Sequence, residues 1–228
     1  MTVSICVFDA YGTLFDVAAA ARAAAAGPGG EVLADSWPAL AATWRDKQLQ
    51  YTWLRAITGA HADFRQVTEE ALDYALEAAG LDDTALRARL LALYDELAAY
   101  PEVPGMLRAL TAAGRRCAIL SNGAPGMLAS AVASAGIGAQ LDRVISVEEV
   151  GVFKPDSRVY DLVGQHFGVA PGEVLFVSAN GWDAAAASGY GFVTAWVNRA
   201  GAPVDRLPWR PAHVLADLAA LPDLAAGL

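Results

Sequence analysis

The chain has 228 residues, of which 55% are hydrophobic and 18% charged, enough for one sizeable core or a core with a smaller appendage. Its formal net charge of −9 argues against a nucleic-acid partner, which would favour a basic face, while leaving room for a small anion in a locally positive pocket. No apolar stretch reaches the roughly 18–20 residues of a membrane span, and the opening residues run into a strand-like segment without a basic n-region or cleavage signal, so a cytoplasmic protein without a membrane partner is expected.

In chain order, Ser4–Phe8 is a nearly continuous apolar run, the mark of a strand buried on both faces. Four more runs of this kind follow: Arg116–Ser121, Val144–Ser146, Val174–Ser178 and Phe192–Val197, with a sixth near His213–Leu215. Helical patterns over Pro104–Ala113, Pro125–Ala135, Asp156–Phe167 and Asp183–Gly189 separate the later runs. Alternation at this spacing predicts βαβ units and a doubly wound, Rossmann-like parallel sheet of the α/β class. The first interval breaks the rhythm. More than one hundred residues separate Asp9 from Arg116, and they contain helical patterns at Trp37–Thr58, Thr68–Ala79 and Asp83–Ala98. We therefore expect an α/β core of residues 1–15 and 99–228, with residues 16–98 inserted as a helical subdomain. Cys6 and Cys117 fall inside apolar runs and are expected to be buried, reduced thiols.

In open α/β sheets, ligands bind at the carboxyl ends of the strands. Here strand one ends in Asp9 with Thr13 close behind, strand two in Ser121-Asn122-Gly123, and strand four in Ser178-Ala179-Asn180-Gly181-Trp182-Asp183; Lys154-Pro155 follows strand three. Each alone reads equally well as a turn or a helix cap. Four of them on one sheet edge form a candidate site. His61, His166 and His213 lie outside this set and are expected to serve surface or packing roles. Ser-His-Asp chemistry and a Gly-x-Ser-x-Gly elbow are thus excluded. What remains is a carboxylate nucleophile held ionised by Lys154.

These motifs resemble the haloacid dehalogenase superfamily, in order and spacing, from Val3 to about Val197. Asp9-Ala10-Tyr11-Gly12-Thr13 is similar to its first motif, Ser121-Asn122 to the second, Lys154-Pro155 to the third and Ser178–Asp183 to the fourth; the insert matches its cap domain. Most of that superfamily are magnesium-dependent phosphatases, which place an acid two residues after the nucleophile and further carboxylates in the fourth motif. This chain has Tyr11 and Asn180 there, a poor Mg²⁺ donor set, and a departing halide needs no proton. Trp44–Arg55 also resembles the cap helix of the (S)-2-haloacid dehalogenases, the L-2, type II subfamily. Arg45 lies on a stripe with Ala41 and Leu49, where a guanidinium must find an anion.

The resemblance implies hydrolytic dehalogenation of short 2-haloalkanoic acids through an ester on Asp9, without a cofactor or metal, in a homodimer. It assigns Asp9, Thr13, Arg45, Ser121, Lys154, Tyr160, Ser178, Asn180 and Asp183 to catalysis. Lys154, Ser178 and Asn180 would hold the two aspartates, and Arg45 would receive the halide. It assigns Ala10, Tyr11, Arg45, Leu49, Phe64, Ser121, Asn122 and Trp182 to the substrate. Asp46 stands where an amide is expected, and it would weaken halide capture if it paired with Arg45. The alternatives are a phosphatase or phosphonatase-like relative and a non-catalytic binding protein; fluoroacetate is a variant substrate of the first expectation.

Overall fold

The structure, a computed structural model, describes residues 2–228. Strand β1 (Ile5–Phe8) is fully buried and lies at the centre of a six-stranded, wholly parallel sheet. The other strands are β2 (Arg116–Ser121), β3 (Arg143–Ser146), β4 (Val174–Ser178), β5 (Val193–Val197) and β6 (His213–Leu215), in the order β3-β2-β1-β4-β5-β6. Every pair is parallel, with Phe8 opposite Ile119 on one side and Val177 on the other. The continuous apolar runs are explained by this layering, since helices cover both faces. The chain builds outward from β1 in one direction and then restarts at β4 in the other. The ends of β1 and β4 therefore flank the point where strand order reverses, the crevice in which ligands of open sheets settle.

The helices are α1 (Ala19–Ala26), α2 (Trp37–Thr58), α3 (Phe64–Ala78), α4 (Thr84–Asp95), α5 (Val103–Ala112), α6 (Pro125–Ser134), α7 (Ser157–Phe167), α8 (Gly181–Tyr190) and α9 (Leu221–Ala226). Helices α1 to α4 all lie between β1 and β2. The chain leaves the sheet layer after Phe15 and returns at Ala99. There the Asp16 amide donates to the Ala98 carbonyl at 3.1 Å and the Tyr100 amide to the Leu14 carbonyl at 2.9 Å.

Two local expectations change. Helix α3 starts at Phe64 rather than Thr68, because the Asp63 side chain caps it by accepting from the Gln66 amide at 2.9 Å; the Asp-x-x-Gln spacing was the available signal. On α2 the buried stripe is Leu40, Trp44, Gln48 and Thr52, so the row of Ala41, Arg45 and Leu49 is its half-buried shoulder, not its core face. Gln48 and Trp44 fix the helix against α3: Gln48 Nε2 donates to Thr68 Oγ1 at 3.0 Å and Trp44 Nε1 to the Thr68 carbonyl at 2.9 Å. No helix among the described residues is long and apolar enough to cross a membrane.

Candidate active site

Asp9 follows β1 directly. Gly12 then takes φ 89°, a left-handed value that suits glycine, and the chain doubles back on itself. This returns the Thr13 hydroxyl to Asp9, where it donates to Oδ2 at 3.0 Å while accepting the Ala179 amide at 2.8 Å. Asn180, just past β4, donates through Nδ2 to the same Asp9 Oδ2 at 2.9 Å. Lys154 Nζ donates to Asp9 Oδ1 at 3.1 Å and to Asp183 Oδ2 at 2.8 Å. The Tyr160 hydroxyl donates to Asp183 Oδ1 at 2.8 Å. All four carboxylate oxygens thus accept from protein donors.

Asp183 is fully buried and Lys154 is 1% exposed, so the ion triad is shielded from solvent. Burial alone would lower the Lys154 pKa, but Asp183 and Asp9 outweigh it and hold the ammonium above the ordinary lysine value. Burial raises the Asp183 pKa, Asp9 adds to the rise, and Lys154 and the Tyr160 hydroxyl pull against it. An ammonium lies between the two carboxylates, and Asn180 and Thr13 cover the remaining face of Asp9. Among the described residues no three His, Cys, Asp or Glu side chains group so as to hold a metal, and the donors around Asp9 do not fit a divalent ion of the magnesium type.

The helical insertion supplies the other wall. Arg45 on α2 donates through Nη2 to the Tyr11 carbonyl at 3.0 Å and to Asn180 Oδ1 at 3.2 Å. Both acceptors are neutral. Asp46 is exposed, and the hydrogen bonds of Arg45 go to Tyr11 and Asn180 and not to it. The Tyr11 ring stacks on Tyr94 at 5.6 Å and meets Phe64 at 5.5 Å. Its hydroxyl is buried without a hydrogen-bond partner. Gly123 is required beneath it, since a Cβ there would lie 2.7 Å from the ring.

The remaining expected residues divide. The amides of Ala10 and Tyr11 donate to no backbone carbonyl among the described residues, which leaves them available beside Asp9. Ser121 is buried, with its hydroxyl accepting the Gly123 amide at 3.1 Å. Asn122 accepts the Lys154 amide through Oδ1 at 3.0 Å, so it sets the lysine's backbone. Ser178 is corrected: its hydroxyl accepts the Asn180 amide at 3.1 Å and contacts neither carboxylate, so it shapes the turn that carries Asn180. Leu49 is half-buried one turn beyond Arg45. Trp182 packs edge-on against Trp53 of α2 at 5.4 Å and lines a separate groove of about 620 Å³ with Trp53, Ile57, Pro155 and Trp209.

Three contributors escaped the sequence. Tyr94 ends the Leu86, Leu90, Tyr94 stripe of α4 and so reads as core. Phe153, next to Lys154, packs against Phe64 at 6.4 Å. His61 was expected away from the strand ends, yet its ring lies 4.9 Å from Phe153 and its Nε2 3.0 Å from Glu148 Oε2. It joins the insertion to the segment that carries Lys154.

A parallel sheet with two carboxylates and a lysine at its switch point, faced by an inserted helical segment, defines a doubly wound α/β protein whose polar groups gather at the strand ends. The family model of the haloacid dehalogenase-like hydrolases matches residues 3–191, most of the chain, and the chain belongs to that family. It is 46% identical over 220 residues to (S)-2-haloacid dehalogenase 1 of Pseudomonas sp. strain CBS-3, covering 96% of this chain and 95% of that one. Among solved structures, it superposes on an L-2-haloacid dehalogenase at 38% identity with TM-score 0.93, covering 99% of this chain and 100% of the other. It also superposes on the Xanthobacter autotrophicus L-2-haloacid dehalogenase with chloropropionic acid covalently bound, at 39% identity and TM-score 0.86 over 100% of both chains.

Proposed function

We propose that the protein hydrolyses short (S)-2-haloacids to (R)-2-hydroxyacids through an ester on Asp9. The observation that carries this is the charge layout: the Asp9 carboxylate is held by Lys154, Thr13 and Asn180, whereas Arg45 beside it rests on neutral oxygens only. The relatives' names and the covalently bound chloropropionic acid in the Xanthobacter protein support the same chemistry.

The substrate carboxylate is held by the Ala10 and Tyr11 amides and the Ser121 hydroxyl, a small anion nest. Asp9 Oδ1, with Lys154 as its one donor, keeps a lone pair free and attacks C2 opposite the halogen. The C–halogen bond breaks, the halide leaves with the electron pair, and C2 inverts. Arg45 and Asn122 meet the halide, whose charge grows in the transition state. Tyr11, Leu49 and Phe64 bound the substrate's side chain, and Trp182, on the neighbouring groove, is left out of this wall. Water then adds to the Asp9 ester carbonyl and gives a proton to Asp183. Cleavage of the Cγ–O bond frees the hydroxyacid as Asp183 returns the first proton to its alkoxide. Asp9, left as the carboxylic acid, gives water's second proton to solvent and is regenerated as the carboxylate. Tyr160 and Lys154 orient Asp183 throughout.

In this proposal residues 1–15 and 99–228 are the core domain, residues 16–98 the cap, and the protein is a cytoplasmic homodimer. The buried free thiols Cys6 and Cys117, pushed up to about 12 chiefly by burial, suit a reducing compartment. Purified protein with excess EDTA and L-2-chloropropionate should release chloride and D-lactate in equal amounts. Metal-dependent phosphate release from p-nitrophenyl phosphate, without chloride release, would overturn the proposal. Fluoroacetate beside chloroacetate decides whether the activity extends to the C–F bond.

A further inference from the structure

Arg199, two residues beyond β5, contacts three groups at once. Its Nη2 donates to the Thr13 carbonyl at 3.2 Å, its Nη1 meets the Glu102 carboxylate at 2.6 Å, and its Cζ lies 3.7 Å from the centroid of the Tyr100 ring. Thr13 belongs to the nucleophile loop. Tyr100 and Glu102 belong to the limb on which the helical insertion returns to the sheet, and Tyr100 is bonded through its amide to Leu14. The Thr13 carbonyl accepts no other hydrogen bond among the described residues. Its hydroxyl is one of the two donors on Asp9 Oδ2. The Arg199 and Glu102 side chains are 23% and 21% exposed, which sets them apart from a freely solvated surface pair.

We propose that Arg199 is a positioning residue for the Asp9 reaction: its guanidinium clamps the nucleophile loop to the limb that carries the insertion. This rests on the dehalogenase chemistry above. A planar, forked cation suits the task, because one side fills the carbonyl and carboxylate contacts while its face lies on the tyrosine ring. Loss of the clamp frees the Thr13 carbonyl, and the hydroxyl on the same residue then holds Asp9 Oδ2 less firmly. The fault falls on the angle of attack and therefore on turnover more than on substrate capture.

The test compares wild type with Arg199→Ala, Arg199→Lys and Glu102→Gln by chloride release from L-2-chloropropionate and by amide hydrogen exchange. Arg199→Ala should lower kcat on the order of tenfold to a hundredfold with KM changed less than about threefold, since small misplacements of a reacting group cost rate at this scale. Added guanidinium ion should restore part of that loss and leave wild type unaffected. Amides of residues 11–16 should exchange faster in the variant. Arg199→Lys should stay well below wild type, and Glu102→Gln, which keeps the Thr13 contact, should lose less. A folded Arg199→Ala protein with kcat within about twofold of wild type, or with its loss confined to KM, would overturn the proposal. If Arg199→Ala does not fold, wild-type rates in both other variants would overturn it equally. Wild type that releases no halide defeats the dehalogenase chemistry instead, and unchanged exchange at residues 11–16 still defeats the clamp.

Discussion

On the sheet side of the site every carboxylate oxygen has a protein donor within 3.1 Å, whereas on the insertion side the Arg45 guanidinium rests on two neutral oxygens at 3.0 and 3.2 Å. The sheet side is also drier, with Asp183 and Lys154 almost without exposure, while Arg45 sits on a half-buried helix shoulder. In the proposed reaction, one side is a satisfied ion network that fixes the nucleophile, and the other presents to the departing halide a cation that no carboxylate contacts directly. Helix α2 can present that cation because Trp44 and Gln48, on its inner face, lock it to α3.

The largest way to break this contrast is Lys154→Met, which leaves Asp9 and Asp183 buried together without a cation. Removing one partner of a buried ion pair costs about 3–5 kcal/mol, so a clear fall in melting temperature should accompany a rate loss of several orders of magnitude. The Lys154 pKa lies above its ordinary 10.5 in the folded protein. Its stabilisation is therefore complete below 10.5 and is lost as pH rises through the folded value, and the variant should lack that alkaline loss in a melting series. A variant that kept a tenth of wild-type activity would refute the role given to the triad.

Arg45→Lys comes next. A compact ammonium cannot span both the Tyr11 carbonyl and Asn180 Oδ1, and loss of a preorganised donor costs about a hundredfold or more in kcat. Steady-state kinetics should show that fall in turnover; an effect on KM alone would place Arg45 on the substrate and not on the leaving group. A smaller effect should appear in the pH profile. In the proposed mechanism Asp183 must be ionised to take a proton from water, and its pKa is raised above the ordinary 3.8. The acid limb of the rate should therefore lie above that value. Tyr160→Phe removes a donor that favours the charged form, which should carry the limb to still higher pH. The smallest effect belongs to Asp46→Asn: the side chain is exposed, and the rate should change less than about twofold, as exposed substitutions do.

The sheet side was legible in the sequence because parallel strands are buried on both faces and so read as unbroken apolar runs, each ending where polar residues begin. Asp9, Lys154, Asn180 and Asp183 stood at those ends, and the structure gathers them. The insertion side was only partly legible. Arg45 stood out as a cation in an apolar row, but the row itself turned out to be the shoulder of α2 because Gln48 and Thr52 occupy the buried face. Tyr94 and Phe153 looked like ordinary core. Arg199 and Thr13 are 186 positions apart, and His61 and Glu148 are 87 apart, distances at which no local pattern announces a contact. Ser178 differs for the opposite reason: its strand-end position suggested a contact with the two aspartates, and its hydroxyl accepts the Asn180 amide and bonds to neither of them.

The most direct test of the account is a single turnover of L-2-chloropropionate by excess protein in heavy-oxygen water, followed by mass spectrometry of the peptide containing Asp9 and of the lactate. Attack by Asp9 predicts that the heavy oxygen enters the Asp9 carboxylate while the first lactate formed carries only ordinary oxygen. Heavy oxygen in that first lactate, with an unlabelled Asp9 peptide, would mean that water attacks C2 directly, and would contradict the account.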